Sequence, residues 1–335
     1  MRKQNITVMP GDGIGPEIMS ATIDILNHAG CNFNYEYADA GLLSLEKHNT
    51  LLPEKTLDLI TNNKIALKGP LTTPVGEGFT SINVSLRKKF HLYANVRPVK
   101  SIPSLNNRFE NVDIITVREN TEGLYSGLGQ EVVGETAKAM SIITREGATR
   151  ICRYAFELAK RENRKKVTVA HKANILKSTS GLFLSVAKEI APSYPEIIFE
   201  EMIIDAMCMK LVIDPTHFDV IVTSNLFGDI LSDLCAGLIG GLGLAPGANI
   251  GNDIAIFEAV HGSAPDIAGQ NIANPTALLF SAIQMLNHLG LFVEAQNIKT
   301  AVFDVMKHQN LLTKDLGGQA TTTEYTQHII NALKK

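Results

Sequence analysis

The sequence lacks the short motifs that most readily announce a function. No two of its four cysteines (Cys31, Cys152, Cys208 and Cys235) are close enough for a C-x-x-C pair, so zinc-ribbon and thioredoxin-like readings have no support. There is no G-x-x-x-x-G-K-[ST] loop, which removes the usual phosphate cradle of a nucleotide hydrolase. No apolar run approaches the length of a membrane span. A large charge of one sign is also missing: the net is −3 over 335 residues, so composition gives no reason to expect nucleic acid. The basic stretch KRENRKKV (160–167) reads as a solvated helix end and turn. Met1 to Asn5 lead straight into the first apolar run, with no signal peptide. Scattered thiols fit a reducing compartment. A cytoplasmic protein with neither membrane nor nucleic-acid partners is therefore expected.

What is present is an apolar fraction of 45%, enough for a substantial core in one large or two smaller domains. Short β-like runs at 6–9, 65–68, 112–117, 167–170, 197–204 and 218–223 alternate with helical patterns. Ile18, Thr22, Ile25 and Ala29 share one helical face, as do Leu278, Ala282, Met285 and Leu289. This alternation predicts an α/β protein with several parallel strands. Residues 98–108 read as a linker or crossover, 123–146 as a hairpin-like excursion, and 258–277 as a long loop. The glycines of 237–251 are too dense for a plain helix interior.

The first loop, MPGDGIGPE, raises the question of a dinucleotide. The strict G-x-G-x-x-G spacing needs glycine at 11, 13 and 16, but residue 16 is Pro, so this stretch alone favours a tight βα turn with no ligand. Asp229 and Asp233 in NLFGDILSD stand four apart and face the same side of a helix. They suit a hard cation, with Asp205 as a third acid after a strand, or they are exposed acids behind an N-cap at Ser224 or Asn225. Lys172 follows a strand and is either a proton relay or a surface lysine, while His171 reads as structural. Arg87, Arg97 and Arg118 would suit a di- or tricarboxylate if they converged. Tyr125 is either a proton donor in the same pocket or a packed side chain. Asp266 would favour NAD over NADP if its segment met a ribose.

Eight segments carry a resemblance in chain order: GDGIGPE, KGPLTTP, SINVSLRKKFHLYANVRP, RENTEGLYSG, HKANILK, NLFGDILSD, GLGLAPGANIG and HGSAPDIAGQNIANP. Together they resemble the decarboxylating β-hydroxyacid dehydrogenases, which include isocitrate, isopropylmalate and homoisocitrate dehydrogenases, over nearly the whole chain. The resemblance implies a two-domain, non-Rossmann α/β fold: a large cofactor-binding domain of 1–97 and 249–335, and a small domain of 98–248 with a β clasp near 123–146. It implies NAD-dependent oxidative decarboxylation of isocitrate to 2-oxoglutarate with Mg²⁺ or Mn²⁺. Substrate would meet Arg87, Arg97, Arg118, Ser81, Asn83, Thr73 and Asn174. Proton transfer would fall to Tyr125, Lys172 and Asp205, and the metal to Asp205, Asp229 and Asp233. NAD would meet His261, Gly262, Ser263, Ala264, Asp266, Ile267, Asn274 and Leu71, with Lys68 near the nicotinamide or substrate. Lys172 and Asp205 would come from the other subunit, giving a homodimer with shared sites or a higher oligomer.

The SINV segment favours a third carboxylate over an isopropyl group, because burying Ser81 and Asn83 unpaired would cost about 1–3 kcal/mol each. Homoisocitrate differs by one methylene and stays open. His91 departs from the Asp that relatives often carry. Two further readings are a non-catalytic component of a heteromeric isocitrate dehydrogenase and a Mg²⁺-dependent phosphate-handling enzyme. The first is opposed by the full set of chemistry-bearing residues, and the second leaves the three arginines without a role.

Overall fold

The computed structural model describes residues 3–74, 81–105 and 108–334. Its strands are β1 (Gln4–Met9), β2 (Phe33–Tyr37), β3 (Ile65–Lys68), β4 (Ala94–Lys100), β5 (Asp113–Glu119), β6 (Glu131–Val133), β7 (Thr136–Lys138), β8 (Lys166–His171), β9 (Ile198–Ile203), β10 (Val220–Thr223), β11 (Pro246–Ile250) and β12 (Ala255–Ala259). The helices are α1 (Gly15–His28), α2 (Leu42–His48), α3 (Glu54–Asn63), α4 (Ile82–Lys89), α5 (Arg145–Arg161), α6 (Thr179–Ile190), α7 (Ile204–Ile213), α8 (Asn225–Leu238), α9 (Thr276–His288), α10 (Phe292–Met306) and α11 (Thr322–Leu333). Among the described residues no helix is long and apolar enough to cross a membrane.

Ten strands form one sheet in the order β2-β1-β3-β12-β11-β4-β5-β10-β8-β9. Two parallel blocks, β2-β1-β3-β12 and β5-β10-β8-β9, are joined through the antiparallel strands β11 and β4. Parallel strands need crossovers, and the helices that supply them bury the sheet faces, so the strands read as near-continuous apolar runs. Ile18, Thr22 and Ile25 are buried on α1, and Leu278, Ala282 and Met285 on α9, as the helical spacing predicts. Ala29 and Leu289 fall one step further, at the C-caps.

The central strands were the least legible. Residues 98–100, read as linker, continue β4 and pair with Asp113–Ile115 of β5. Pro98 is tolerated there for a definable reason. Opposite it, the Ile115 N–H donates away from β4, to Asp219 O at 2.9 Å. On its other side, β11 pairs with β4 only over Ala94–Val96. The missing N–H of Pro98 is therefore never needed. The start of the expected long loop at 258 likewise belongs to β12. The excursion at 123–146 does contain a hairpin, β6–β7, ahead of α5. The expected domain boundaries at 97/98 and 248/249 both fall inside paired strands, β4 and β11.

Strand alternation separates the two faces of the sheet. Asn95 and Arg97 on β4 and Thr116 and Arg118 on β5 point to one face, where α8 packs. Val96 and Pro98 on β4, with Ile115 on β5, point to the other face.

Candidate active site

The site is built where α8 lies across β5 and β4. Gly228 permits the approach: a Cβ there would run into the Arg118 side chain. Arg118 is buried, and its guanidinium is fixed by α8. Nε and Nη2 donate to Asn225 Oδ1 at 3.0 and 2.8 Å, and Nη1 pairs with Asp229. One strand over, Arg97 Nη1 donates to Ser232 Oγ at 2.7 Å and to Asp233 at 3.2 Å, with Asp229 at 4.0 Å from Nη2. The Tyr125 hydroxyl donates to Asp229, and Arg118 stacks 5.1 Å from the Tyr125 ring. Tyr125 sits in a short turn, Leu124–Ser126, tied to α4 by Lys88 Nζ donating to Ser126 O at 3.0 Å.

The electrostatics describe a cluster of buried cations around one carboxylate. Burial, and then Arg87, push Arg118 down to about 10; burial also lowers Arg97, again with Arg87 contributing. Burial alone would raise Asp229, but Arg118, Tyr125, Arg97 and Arg87 outweigh it and hold its carboxyl below the usual range. Burial and Asp229 raise the Tyr125 hydroxyl, so it stays protonated at neutral pH. Among the described residues, Arg87 Nε, Arg97 Nε and Asn83 Oδ1 are buried without a hydrogen-bond partner. Such groups are costly to leave unsatisfied: the two arginine donors suit an anion, while Asn83 Oδ1, an acceptor, calls for a donor such as a hydroxyl. Ser81 is exposed at the N-cap of α4, whose first residue Ile82 donates its N–H to Thr73 Oγ1 at 3.3 Å.

Lys68 is not free to reach out. Its Nζ is buried, 2.6 Å from Glu258 and 3.1 Å from Gly69 O. Burial pushes Glu258 up, but Lys68 and Arg87 prevail and leave it at about 2. Glu258 also accepts from Asn249 Nδ2 at 2.6 Å, and Asn249 Oδ1 accepts from Asn95 and Asn120. A polar row thus crosses β3, β12, β11 and β4 and ends beside Arg118, which stands opposite Asn95.

The glycine loop also works differently from a phosphate cradle. Asp12 N donates to Pro70 O, Ile14 N to Ser263 O and Gly15 N to Asp12 O, so these N–H groups are used internally. The Asp12 carboxylate accepts from Leu42 N at 2.9 Å and Thr72 N at 2.7 Å. Gly13 has φ +58°, and a Cβ would collide with Ser263 O. Glu17 accepts from Asn271 N and Ala273 N at 3.2 and 3.0 Å, clamping the later segment. The loop is a brace between 70–73 and 261–273, the two stretches expected to meet NAD.

In that later stretch His261 has a buried Nε2 with no partner among the described residues, and burial lowers its pKa, so the ring is neutral. Ser263 Oγ contacts Thr72 Oγ1 at 2.7 Å, and Ala264 takes the left-handed φ of +39°. The other non-glycine residues with positive φ among the described residues are Asn, Lys and His, so an alanine there marks a constrained turn. Gly262 has open space at its Cβ position, Asp266 is exposed, and Ile267 and Leu71 are partly buried. Asn274 is different: its amide donates to Asp315 at 2.9 Å and accepts from the Thr276 N–H and hydroxyl, so its side chain is committed to the start of α9.

Lys172 and Asp205 form a separate pair. Nζ and Oδ1 are 2.5 Å apart, between the loop after β8 and the first turn of α7. The bond from Lys172 lowers the Asp205 carboxyl. Asn174 is exposed on the same loop, and His171 accepts from Ala173 N, in keeping with a structural role. No group of three His, Cys, Asp or Glu side chains able to hold a metal occurs among the described residues, so Asp205 does not join Asp229 and Asp233 within one chain. Asn225, expected only as a candidate N-cap, and Ser232 orient the arginines, and Glu258, Asp12 and Glu17 are further site residues whose roles no motif gives. Asn225 and Ser232 stand in the aspartate motif itself, but nothing in their spacing gives their partners.

Buried arginines set against paired carboxylates on a helix suit a polycarboxylate substrate, the class of chemistry the decarboxylating hydroxyacid dehydrogenases perform. The chain belongs to the isocitrate/isopropylmalate dehydrogenase family, whose model matches residues 5–332. It is 48% identical to the alpha chain of a probable mitochondrial NAD isocitrate dehydrogenase of Drosophila melanogaster, over 97% of this chain and 86% of that one. It is 50% identical to a regulatory chain of the mitochondrial NAD isocitrate dehydrogenase of Dictyostelium discoideum, over 98% and 92%. The crystal structure of isocitrate dehydrogenase from Methylococcus capsulatus superposes with a TM-score of 0.95 at 50% identity, covering 99% of this chain and 100% of that one. The mitochondrial relatives correct the expectation of a cytoplasmic protein. Unpaired thiols report only a reducing environment, which a cytosol and an organelle interior can share.

Proposed function

We propose that this chain is a catalytic, NAD-dependent isocitrate dehydrogenase that acts in the mitochondrion, using Mg²⁺ or Mn²⁺ to convert isocitrate to 2-oxoglutarate. The observation that carries the reading is the cluster of Arg87, Arg97 and Arg118 around Asp229 and Asp233, with the buried donors Arg87 Nε and Arg97 Nε unsatisfied.

The donors present fit both absent groups. Asp229 and Asp233 are hard oxygen ligands one helical turn apart and would hold the metal with Asp205 of a second protomer. The unpartnered His261 Nε2 and the left-handed Ala264 fit a bound dinucleotide at 261–267. NAD supplies the hydride acceptor, and the metal supplies Lewis-acid polarisation of the substrate's oxygens. The protein's own part is positioning and proton handling. The arginine forks fix two carboxylates, and Ser81 with Asn83 receives the third. The Lys172–Asp205 pair of a second protomer would relay the hydroxyl proton through water or the Asp205 carboxylate, since the ion-paired ammonium has no lone pair to take it directly. Tyr125 Oη, kept protonated, returns one to carbon after CO₂ leaves.

The same reading divides the molecule into a large domain of both chain ends and a small middle domain, and makes the active unit at least a dimer. Support comes from exposed apolar side chains near Lys172 and on α7: Ile175 is 68% exposed, Met209 60% and Ile213 71%. Surfaces of this kind mark association sites. A second reading, a non-catalytic component of a heteromer, is favoured by the name of the Dictyostelium relative and opposed by the presence of Tyr125, Lys172, Asp205, Asp229 and Asp233 together. The test is NADH formation by the purified single chain with Mg²⁺ or Mn²⁺, comparing isocitrate, homoisocitrate and isopropylmalate, then NADP. Preference for isocitrate with NAD supports the reading, preference for homoisocitrate overturns the pocket length, and no turnover favours the non-catalytic component.

A further inference from the structure

Behind the sheet, on the face away from the arginine cluster, lies a cavity of about 260 Å³, and next to it another of about 540 Å³. Both are bordered by Val96, Glu162, Gln284 and Asn287. No step of the proposed reaction uses this face. The smaller cavity has an apolar body and a charged lining. Phe280 and Phe303 meet edge to face with centroids 6.3 Å apart, and Lys100, Arg164 and Lys299 are set against Asp113 and Glu162.

The charges match in number, Lys100, Arg164 and Lys299 against Asp113, Glu162 and Asp219, but not in pairing. Asp113 already serves both Lys100 and Arg164, at 2.5 Å each. Arg164 takes Asp219 as well, at 3.0 Å. Among the described residues Lys299 has no carboxylate within ion-pair distance; it lies 5.9 Å from the Phe303 ring centroid. On α9, Gln284 Nε2 is a buried donor without an acceptor. A half-buried cation without an ion pair and an unsatisfied amide donor beside an aromatic wall together suit an acceptor-rich anionic group carried on an apolar body.

We propose that this back cavity binds a small organic anion with an apolar or aromatic body, Lys299 supplying the charge and Gln284 the amide donor, and that its occupancy is felt at Arg97. The link is strand β4: Val96 and Pro98 line the cavity, while Arg97 between them faces the candidate active site. The second wall repeats the arrangement on β5, with Ile115 behind and Thr116 in front. A ligand packed against these strands has differential contact with any rearrangement of β4, which is the requirement for coupling two sites.

The binding half of the inference is measured without turnover, so its failure and that of the proposed reaction are distinct; the coupling to Arg97 rests on the proposed reaction, whose KM is its readout. Calorimetric titrations with 3-phenylpropionate, phenyl phosphate and the neutral 3-phenylpropanamide would be run on the wild type, Lys299→Met and Gln284→Leu, each checked for folding by circular dichroism. Saturable binding of one or both anions, at least tenfold weaker in either variant and absent for the amide, is expected; which anion wins separates a carboxylate from a phosphate ligand. With the bound probe, the KM for isocitrate should move at least twofold in the wild type and stay fixed in Lys299→Met. No saturable binding at millimolar probe, or binding unchanged in both variants, overturns the site. Saturable binding with an unmoved KM overturns the coupling to Arg97.

Discussion

At the scale of single residues, the side chains that orient the chemistry are as informative as those expected to perform it. Gly228 is the clearest case. Because its missing Cβ makes space for Arg118, Gly228→Ala must displace either the helix or the guanidinium. Overpacking of this kind costs about 1–3 kcal/mol. The expected result is a lower urea midpoint together with at least a tenfold rise in KM, since the displaced arginine is a proposed carboxylate ligand; a normal KM would detach Arg118 from substrate. Asp266 makes a different prediction. It is exposed, and its carboxylate has no protein partner among the described residues, as a ribose-binding acid requires. Asp266→Lys combined with Ile267→Tyr should shift the ratio of kcat/KM values from NAD towards NADP. An unchanged ratio would remove Asp266 as the selector.

At the scale of elements, the polar row across β3, β12, β11 and β4 ties two halves of the sheet together through a buried charge. Glu258 titrates near 4.5 when unfolded and at about 2 when folded. A depressed carboxyl contributes stability that is fully present above its unfolded pKa and is lost as pH falls through the folded one. Its share should therefore disappear between pH 4.5 and 2. Glu258→Gln leaves Lys68 buried opposite a neutral amide. The variant should be less stable than the wild type at pH 7, with the gap closing as pH falls towards 2. Urea midpoints measured from pH 7 downward check this, and a gap independent of pH would mean that the loss is packing rather than charge. The elements also show where pattern reading stops. β1, β3 and β10 declare themselves as apolar runs because helices cover both faces. β4, β11 and β12 do not, since Asn95, Arg97, Asn249 and Glu258 interrupt them with the groups that form the polar row and the site, and Pro98 breaks β4 on the other face.

At the scale of the molecule, the separation of Lys172–Asp205 from Tyr125–Asp229 within one chain is a statement about assembly. If each site draws Tyr125 from one protomer and Lys172 from the other, two inactive variants should rescue each other. Co-expressed Lys172→Met and Tyr125→Phe chains should regain about a quarter of wild-type activity, because half of randomly formed dimers are mixed and one of their two sites is intact. Activity that stays at the level of the separate variants would place each site within a single chain. Size-exclusion chromatography on the same samples gives the oligomer, which is also the point at which a homomeric and a heteromeric enzyme part.

The sequence by itself determined the α/β alternation, the apolar faces of α1 and α9, the family and the identity of the charged residues, because periodicity and ordered motifs are written in one dimension. It could not determine that Lys68 is held by Glu258, or that Asn225 and Ser232 aim two arginines. Nor could it show that the glycine loop spends its N–H groups on Pro70 and Ser263. Those partners are up to 249 positions apart in the chain, Ile14 and Ser263 being the example (263 − 14). Only the folded sheet brings them within hydrogen-bond reach, and only burial there makes their pairing obligatory.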